Sequence, residues 1–137
     1  MSRVLRRTAF ATVLVAAMGV ASAEDVSVKL VGADETPPVT TSATGEGKIS
    51  VAKDGTVKGS VKTKGVVGTM AHIHEAPAGK AGPPIITLTK SGEDTWTVPD
   101  GSKLTEEQIK AFKDGNLYVN VHSAEHKPGE IRGQLKP

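Results

Sequence analysis

The chain has no cysteine among its 137 residues. No disulfide can brace it, and no lipidated cysteine can anchor it to a membrane. Aromatic residues are almost as scarce: beyond residue 23 only Trp96, Phe112 and Tyr118 remain. The core must therefore be filled by aliphatic side chains, which suits a thin sandwich better than a fold with a bulky centre. Charge of one sign is not in excess either. The chain carries 17 basic and 15 acidic side chains, and three of the basic ones are Arg3, Arg6 and Arg7 at the extreme N-terminus. Past residue 23 that leaves 14 basic against 15 acidic. Such a balance gives no reason to expect nucleic acid or an anionic membrane surface as a partner. No glycine-rich phosphate loop is present: Gly79-Lys80-Ala81-Gly82 lacks both the spacing and the strand–helix setting of a P-loop. Ser123 next to His122 is adjacency in sequence, not a nucleophile with its base and orienter. The acidic residues are scattered, and no pair stands out as acid and base. Nothing here makes a catalytic site, so the expectation is that the protein is not an enzyme.

What is present begins with an address. Arg3, Arg6 and Arg7 form a basic n-region and Ala9 to Val20 a short apolar core. Ala21-Ser22-Ala23 is a small-residue cleavage site. This pattern predicts a signal peptide over residues 1–23 and a single domain over residues 24–137, exported to the periplasm or secreted. Arg6-Arg7 raises the twin-arginine route, but Phe10 falls one place late for it, which favours Sec export. No second apolar run is long enough to serve as a membrane anchor.

The rest reads as short strands separated by turns. Val26, Val28 and Leu30 alternate with polar residues. Lys48 to Ala52 and Thr56 to Lys62 flank Lys53-Asp54-Gly55, a hairpin signal because the turn needs a positive φ. Further extended segments are Thr69 to His74, Ile85 to Thr89, Thr95 to Val98, Asn116 to His122 and Glu130 to Leu135. One helix interrupts them. Thr105-Glu106-Glu107-Gln108 is a capping box, Leu104 and Ile109 form a hydrophobic staple, and Asp114-Gly115 stops the helix after Lys113. The expected fold is an all-β antiparallel sandwich with one short helix. Its core comprises Val26, Val28, Leu30, Ile49, Val51, Ile73, Ile86, Leu88, Leu117, Val119, Val121, Ile131 and Leu135.

All four histidines fall near two strand ends, in Met70-Ala71-His72-Ile73-His74-Glu75 and in Tyr118-Val119-Asn120-Val121-His122, with His126 just beyond. The period of two puts His72 and His74 on one face, and Tyr118, Asn120 and His122 on one face. If the alternate, apolar residues are buried, the histidines point to the outer surface together. Two imidazoles at i and i+2 can share one ion, and His122 from a neighbouring strand is a third nitrogen. An all-imidazole set suits copper or zinc best. Glu75 or His126 is a candidate to complete the shell. The alternative is that these histidines only brace loops through carbonyl hydrogen bonds.

Several segments occur in a specific order. They are Leu30-Val31-Gly32-Ala33 with Glu35-Thr36-Pro37-Pro38-Val39, then Ala71-His72-Ile73-His74, then Gly82-Pro83-Pro84. Leu104-Thr105, Gly115 to Ser123 and Pro128 to Leu135 follow. In this order they resemble the CHRD domain family, named for the extracellular protein chordin and found in many exported bacterial proteins. The resemblance implies an immunoglobulin-like or superoxide-dismutase-like β-sandwich and, through chordin, a protein-interaction or scaffold role in which the histidines are structural. His72-Ile73-His74-Glu75 is also similar to the His-x-His strand with which copper–zinc superoxide dismutases hold copper. That likeness covers four residues only, and the zinc loop, its aspartate and the disulfide cysteines have no counterpart. The expected function is thus an exported binding module taking copper or zinc through His72, His74 and His122. An interaction domain is the alternative and a dismutase-like enzyme the minor one. Arg132 points outward from the alternating last strand, where it is a candidate arginine beside the site and equally a candidate partner for Glu130 or Glu75 in a surface pair that contributes little.

Overall fold

The computed structural model describes residues 22–137. The expected signal peptide lies outside the described residues except for Ser22 and Ala23, and Ala23 opens the first strand. The chain runs through β1 (Ala23–Val31), a 3-10 turn (Gly32–Asp34), β2 (Thr44–Ala52), β3 (Val57–Lys64) and β4 (Gly68–Glu75). It continues with β5 (Pro84–Thr87), β6 (Thr89–Lys90), β7 (Thr95–Thr97), α1 (Glu106–Lys113), β8 (Leu117–Ser123) and β9 (Ile131–Leu135).

All strands belong to one antiparallel sheet in the order β5-β4-β8-β9-β1-β2-β3-β7-β6. The two edge strands, β5 and β6, are joined in the chain by Leu88 alone. A one-residue link between opposite edges requires the sheet to curl back on itself, so it is nearly closed. Leu88 fixes the seam: its N–H donates to the Ala71 carbonyl at 2.9 Å while its side chain is buried. Near-closure also limits the unpaired strand edges that would invite aggregation. The all-β architecture with one short helix is as the sequence predicts.

Alternation explains the interior. Val26, Val28 and Leu30 from β1 pack with Ile49 and Val51 from β2, Ile73 from β4, Val119 and Val121 from β8, and Ile131 and Leu135 from β9. Trp96 and Phe112 supply the aromatic bulk. Every residue expected in the core is buried. The Asp54-Gly55 hairpin forms with Gly55 at φ +92°, and Asp54 Oδ1 accepts from the Thr56 N–H at 2.9 Å. In α1 both halves of the capping box are made: Gln108 N–H donates to Thr105 Oγ1 at 3.2 Å, and Thr105 N–H donates to Gln108 Oε1 at 2.9 Å. β2 starts at Thr44, earlier than the sequence suggests. Its first residues, Thr44-Gly45-Glu46-Gly47, show no apolar alternation, yet each pairs with a residue of β1 and of β3.

Candidate functional site

β4 and β8 are hydrogen-bonded neighbours, in the register Met70↔His122, His72↔Asn120 and His74↔Tyr118. β9 continues the row on the other side of β8, with Asn120↔Arg132 and Tyr118↔Gln134. Because Ala71, Ile73, Val119 and Val121 face the core, the alternate residues form a polar row across the outer face of three strands.

Within that row the imidazoles of His72, His74 and His122 converge, each offering a nitrogen within 4.8 Å of the others'. Their hydrogen bonds set which nitrogen is available. His74 Nδ1 lies 2.8 Å from the Gly82 carbonyl and His122 Nδ1 lies 2.6 Å from the Lys127 carbonyl. A carbonyl only accepts, so both rings carry a proton on Nδ1 and, when neutral, a bare lone pair on Nε2. His74 Nε2 is buried and has no partner. His72 Nδ1 lies 3.0 Å from His122 Nε2. With its proton on Nδ1, His72 donates to His122. In its other tautomer the two nitrogens face each other as lone pairs, and only a cation between them would stabilise that arrangement.

The electrostatics favour the neutral form of His72 and His74. Burial, together with the neighbouring His122 and His74, holds His72 below the ordinary histidine range. Burial does the same to His74, with His122 and Arg132 acting the same way, against the opposing pull of the Gly82 carbonyl and of the nearby Asn120 side chain. Depressed basicity is what a ligand nitrogen needs in order to be free of its proton at neutral pH.

One expectation is corrected. The histidines lie on the outer face of the sheet but not on the surface: His72, His74 and His122 are 9%, 8% and 8% exposed. The segment between β4 and β5 packs against the His74 end of the row, held mainly through its backbone, while the Lys127 carbonyl from the β8–β9 loop meets His122. Arg132 Nη1 donates to the Lys80 carbonyl at 2.8 Å and Nη2 to the Pro77 carbonyl at 3.1 Å. Gln134 Nε2 donates to the Ala76 carbonyl at 2.8 Å, and the Gly82 N–H donates to Tyr118 Oη at 3.1 Å. Arg132 therefore points outward as expected, but its hydrogen-bond partners are carbonyls and the side chains of Thr36 and Gln134, not Glu130 or Glu75. Its guanidinium carbon sits 3.4 Å from the centre of the Tyr118 ring, and that ring stacks on His74 at 4.8 Å and 6°. A layered Arg132–Tyr118–His74 stack thus fixes the plane of one of the three imidazoles.

Neither proposed fourth ligand joins the cluster. Glu75 ends β4 outside it, and His126 lies with Glu125 and Glu130 in a separate group. Glu130 is already engaged there, accepting from Thr41 Oγ1 and Ser123 Oγ at 2.8 Å each.

Glu35 has no alternation or motif to mark it as buried, and the sequence reading missed it. It sits beside Asn120, which stands between Glu35 and His74. Glu35 Oε1 and Asn120 Oδ1 are both buried without a partner. Burial pushes the Glu35 carboxyl up to about 7, although Arg132 and Asn120 act to lower it. A carboxyl raised in the folded state favours folding fully only below its unfolded value of 4.5, and that contribution is lost as pH rises through about 7. Glu35→Gln, neutral throughout, is therefore expected to exceed the native protein in stability at pH 8 by roughly 1–2 kcal/mol, discounted for solvent screening. The gap should close at pH 4. Denaturant midpoints of both proteins at the two pH values check this, and a gap independent of pH would refute it.

No helix among the described residues is long and apolar enough to cross a membrane. No curated protein and no solved structure matches the chain. The family model of the CHRD domain does match, over residues 26–135, from the β1 alternation to the last residue of β9. That span contains the three converging histidines, the strap of chain against His74 and the Arg132 that holds it, and the chain belongs to the CHRD domain family.

Proposed function

We propose that this CHRD domain is a binding module for a transition-metal ion, copper or zinc, held by His72, His74 and His122. One observation carries the reading: three ring nitrogens lie within 4.8 Å of one another, and one of them, His74 Nε2, is buried with no other partner. A buried acceptor without a donor is unfavourable, and a cation is the partner that would satisfy all three nitrogens at once. The Gly82 and Lys127 carbonyls orient two of the rings, as outer partners do around metal-bound imidazole.

Calorimetric titration of the metal-free protein with Cu²⁺ and Zn²⁺ tests it. One saturable site is expected. His74→Ala should weaken binding by about 100-fold, roughly 2.7 kcal/mol, while His126→Ala should leave it within about twofold because His126 lies in a different cluster. Binding should weaken as pH falls and the imidazoles take up protons. Because the His72 and His74 values are depressed, it should persist below the ordinary histidine pKa of about 6.5. Equal binding by the His72/His74/His122 triple-alanine variant would refute the reading.

The second reading is an interaction or scaffold domain with structural histidines. Its support is the 3.0 Å His72–His122 contact, which is a sound hydrogen bond in the tautomer with the His72 proton on Nδ1. Titration separates the two readings directly.

We further infer that residues 1–23 direct export and are then removed, on the basic n-region, the apolar core and Ala21-Ser22-Ala23. Cleavage there removes the β1 residue that pairs with Ala52 and keeps the ladder from Glu24↔Val51 onward. Mass spectrometry of the exported protein should find Glu24 at the N-terminus. A mature chain that retains Met1 would contradict the inference.

A further inference from the structure

Large apolar side chains are rarely exposed on this domain. Among the described residues they are Val67, 84% exposed, and Met70, 51% exposed. Val67 lies in the turn before β4, where an isolated apolar side chain is ordinary. Met70 lies within β4, two residues before His72 and four before His74, and so shares their face. Across the ladder it stands directly opposite His122.

That placement depends on a local irregularity. The β4–β8 register shifts between Gly68 and Met70: Gly68 pairs with Ser123 and Met70 with His122, leaving Thr69 as the extra residue. Bulges of this kind re-aim side chains, often beside functional sites. Here the shift sets a thioether against the third histidine. Residues directly opposed in an antiparallel ladder have Cβ atoms about 4.5–5.5 Å apart. Methionine has an unbranched side chain with three rotatable bonds, so its sulfur can swing over the neighbouring rings.

The chemistry of the cluster makes this sulfur relevant. Three imidazole nitrogens leave a four-coordinate ion one ligand short, and no carboxylate belongs to the group. Zinc takes thiolate, imidazole or carboxylate, whereas a neutral thioether is a soft donor suited to copper in its +1 state. We propose that Met70 is the fourth ligand of the His72–His74–His122 site, closing it at its solvent rim and fitting it to hold Cu⁺. This rests on the histidine reading above and adds the oxidation state and the fourth donor. No redox step is involved: the ion is received and held as Cu⁺.

The test compares the native protein, Met70→Leu and the His72/His74/His122 triple-alanine variant. Cu⁺ affinity is measured without oxygen by competition against bicinchoninate, and Zn²⁺ affinity is measured by calorimetry. Leu is similar in size and the site is half exposed, so the core is untouched. Met70→Leu should lose at least the roughly tenfold in Cu⁺ affinity that even an outer partner is worth at a metal site, while Zn²⁺ affinity stays within about twofold. X-ray absorption of the Cu⁺ form should show one sulfur neighbour that disappears in Met70→Leu. Unchanged Cu⁺ affinity in Met70→Leu, or equal losses of Cu⁺ and Zn²⁺, would overturn the Met70 assignment and leave the histidine site standing. Native-like Cu⁺ and Zn²⁺ binding by the triple-alanine variant would overturn both.

Discussion

Replacing Arg132 by Leu is expected to destabilise the domain by about 3–5 kcal/mol, the cost of removing one partner from a buried charged network. Arg132 is 2% exposed. Its guanidinium holds the carbonyls of Lys80 and Pro77 and the side chain of Gln134, and it covers the face of Tyr118. Leu fills some of the volume but leaves the Lys80 carbonyl without its donor, Gln134 Oε1 without the Arg132 N–H and the Pro77 carbonyl with only the Lys80 N–H. Arg132→Lys should restore little, because an ammonium cannot reproduce the planar fork that reaches two carbonyls at the two ends of one turn of the strap. Equilibrium denaturation in urea measures the loss. Limited proteolysis should in parallel show cleavage between Ala76 and Pro84, because the strap loses its anchor. A loss below about 1 kcal/mol, the scale of an exposed ion pair, would mean that Arg132 is not the clamp described.

Gly82→Ala is expected to weaken metal binding by roughly 10–100-fold, the range found when an outer partner of a metal-bound histidine is removed. A Cβ at Gly82 would collide with the Glu75 carbonyl oxygen and come within 2.8 Å of its carbon and 2.9 Å of Ala76 Cβ. Backbone atoms cannot step aside as a flexible side chain can, so the strap must shift. Its movement carries away the carbonyl that holds the His74 proton on Nδ1 and the N–H that binds Tyr118 Oη. His74 then loses both its tautomer and its orientation. Titration of Gly82→Ala with Zn²⁺ checks this, with Gly79→Ala as the control. Gly79 has open space around its Cβ position and lies outside the histidine contacts, though its φ of +80° adds some strain. Equal affinities in native protein and Gly82→Ala would show that the strap does not position the site.

The contrast between these two residues explains what was legible in the sequence. Arg132 and Ile131 alternate, so the direction of each could be read, and every strand with an apolar period placed its core residues correctly. The face shared by His72 and His74, and its meeting with His122, followed from the same period once β4 and β8 proved to be neighbours. α1 was legible because a capping box is local chemistry. The burial of the histidines was not. The strap that packs against His74 is made of Ala, Gly, Pro and a single Lys, with no period, and it is held largely through backbone carbonyls that any sequence possesses. Closure of the sheet was hidden for a similar reason: one residue, Leu88, divides a single extended segment between two opposite edges. Glu35 gave no sign of burial because its neighbours Thr36-Pro37-Pro38 mark a turn, and turns are usually exposed.

X-ray absorption at the zinc edge, on protein loaded with one equivalent of Zn²⁺, tests the central claim most directly. The account predicts three imidazole neighbours at about 2.0–2.1 Å in the native protein, and two in His74→Ala. A zinc spectrum with one imidazole neighbour or none, or one unchanged in the His72/His74/His122 triple-alanine variant, would contradict it.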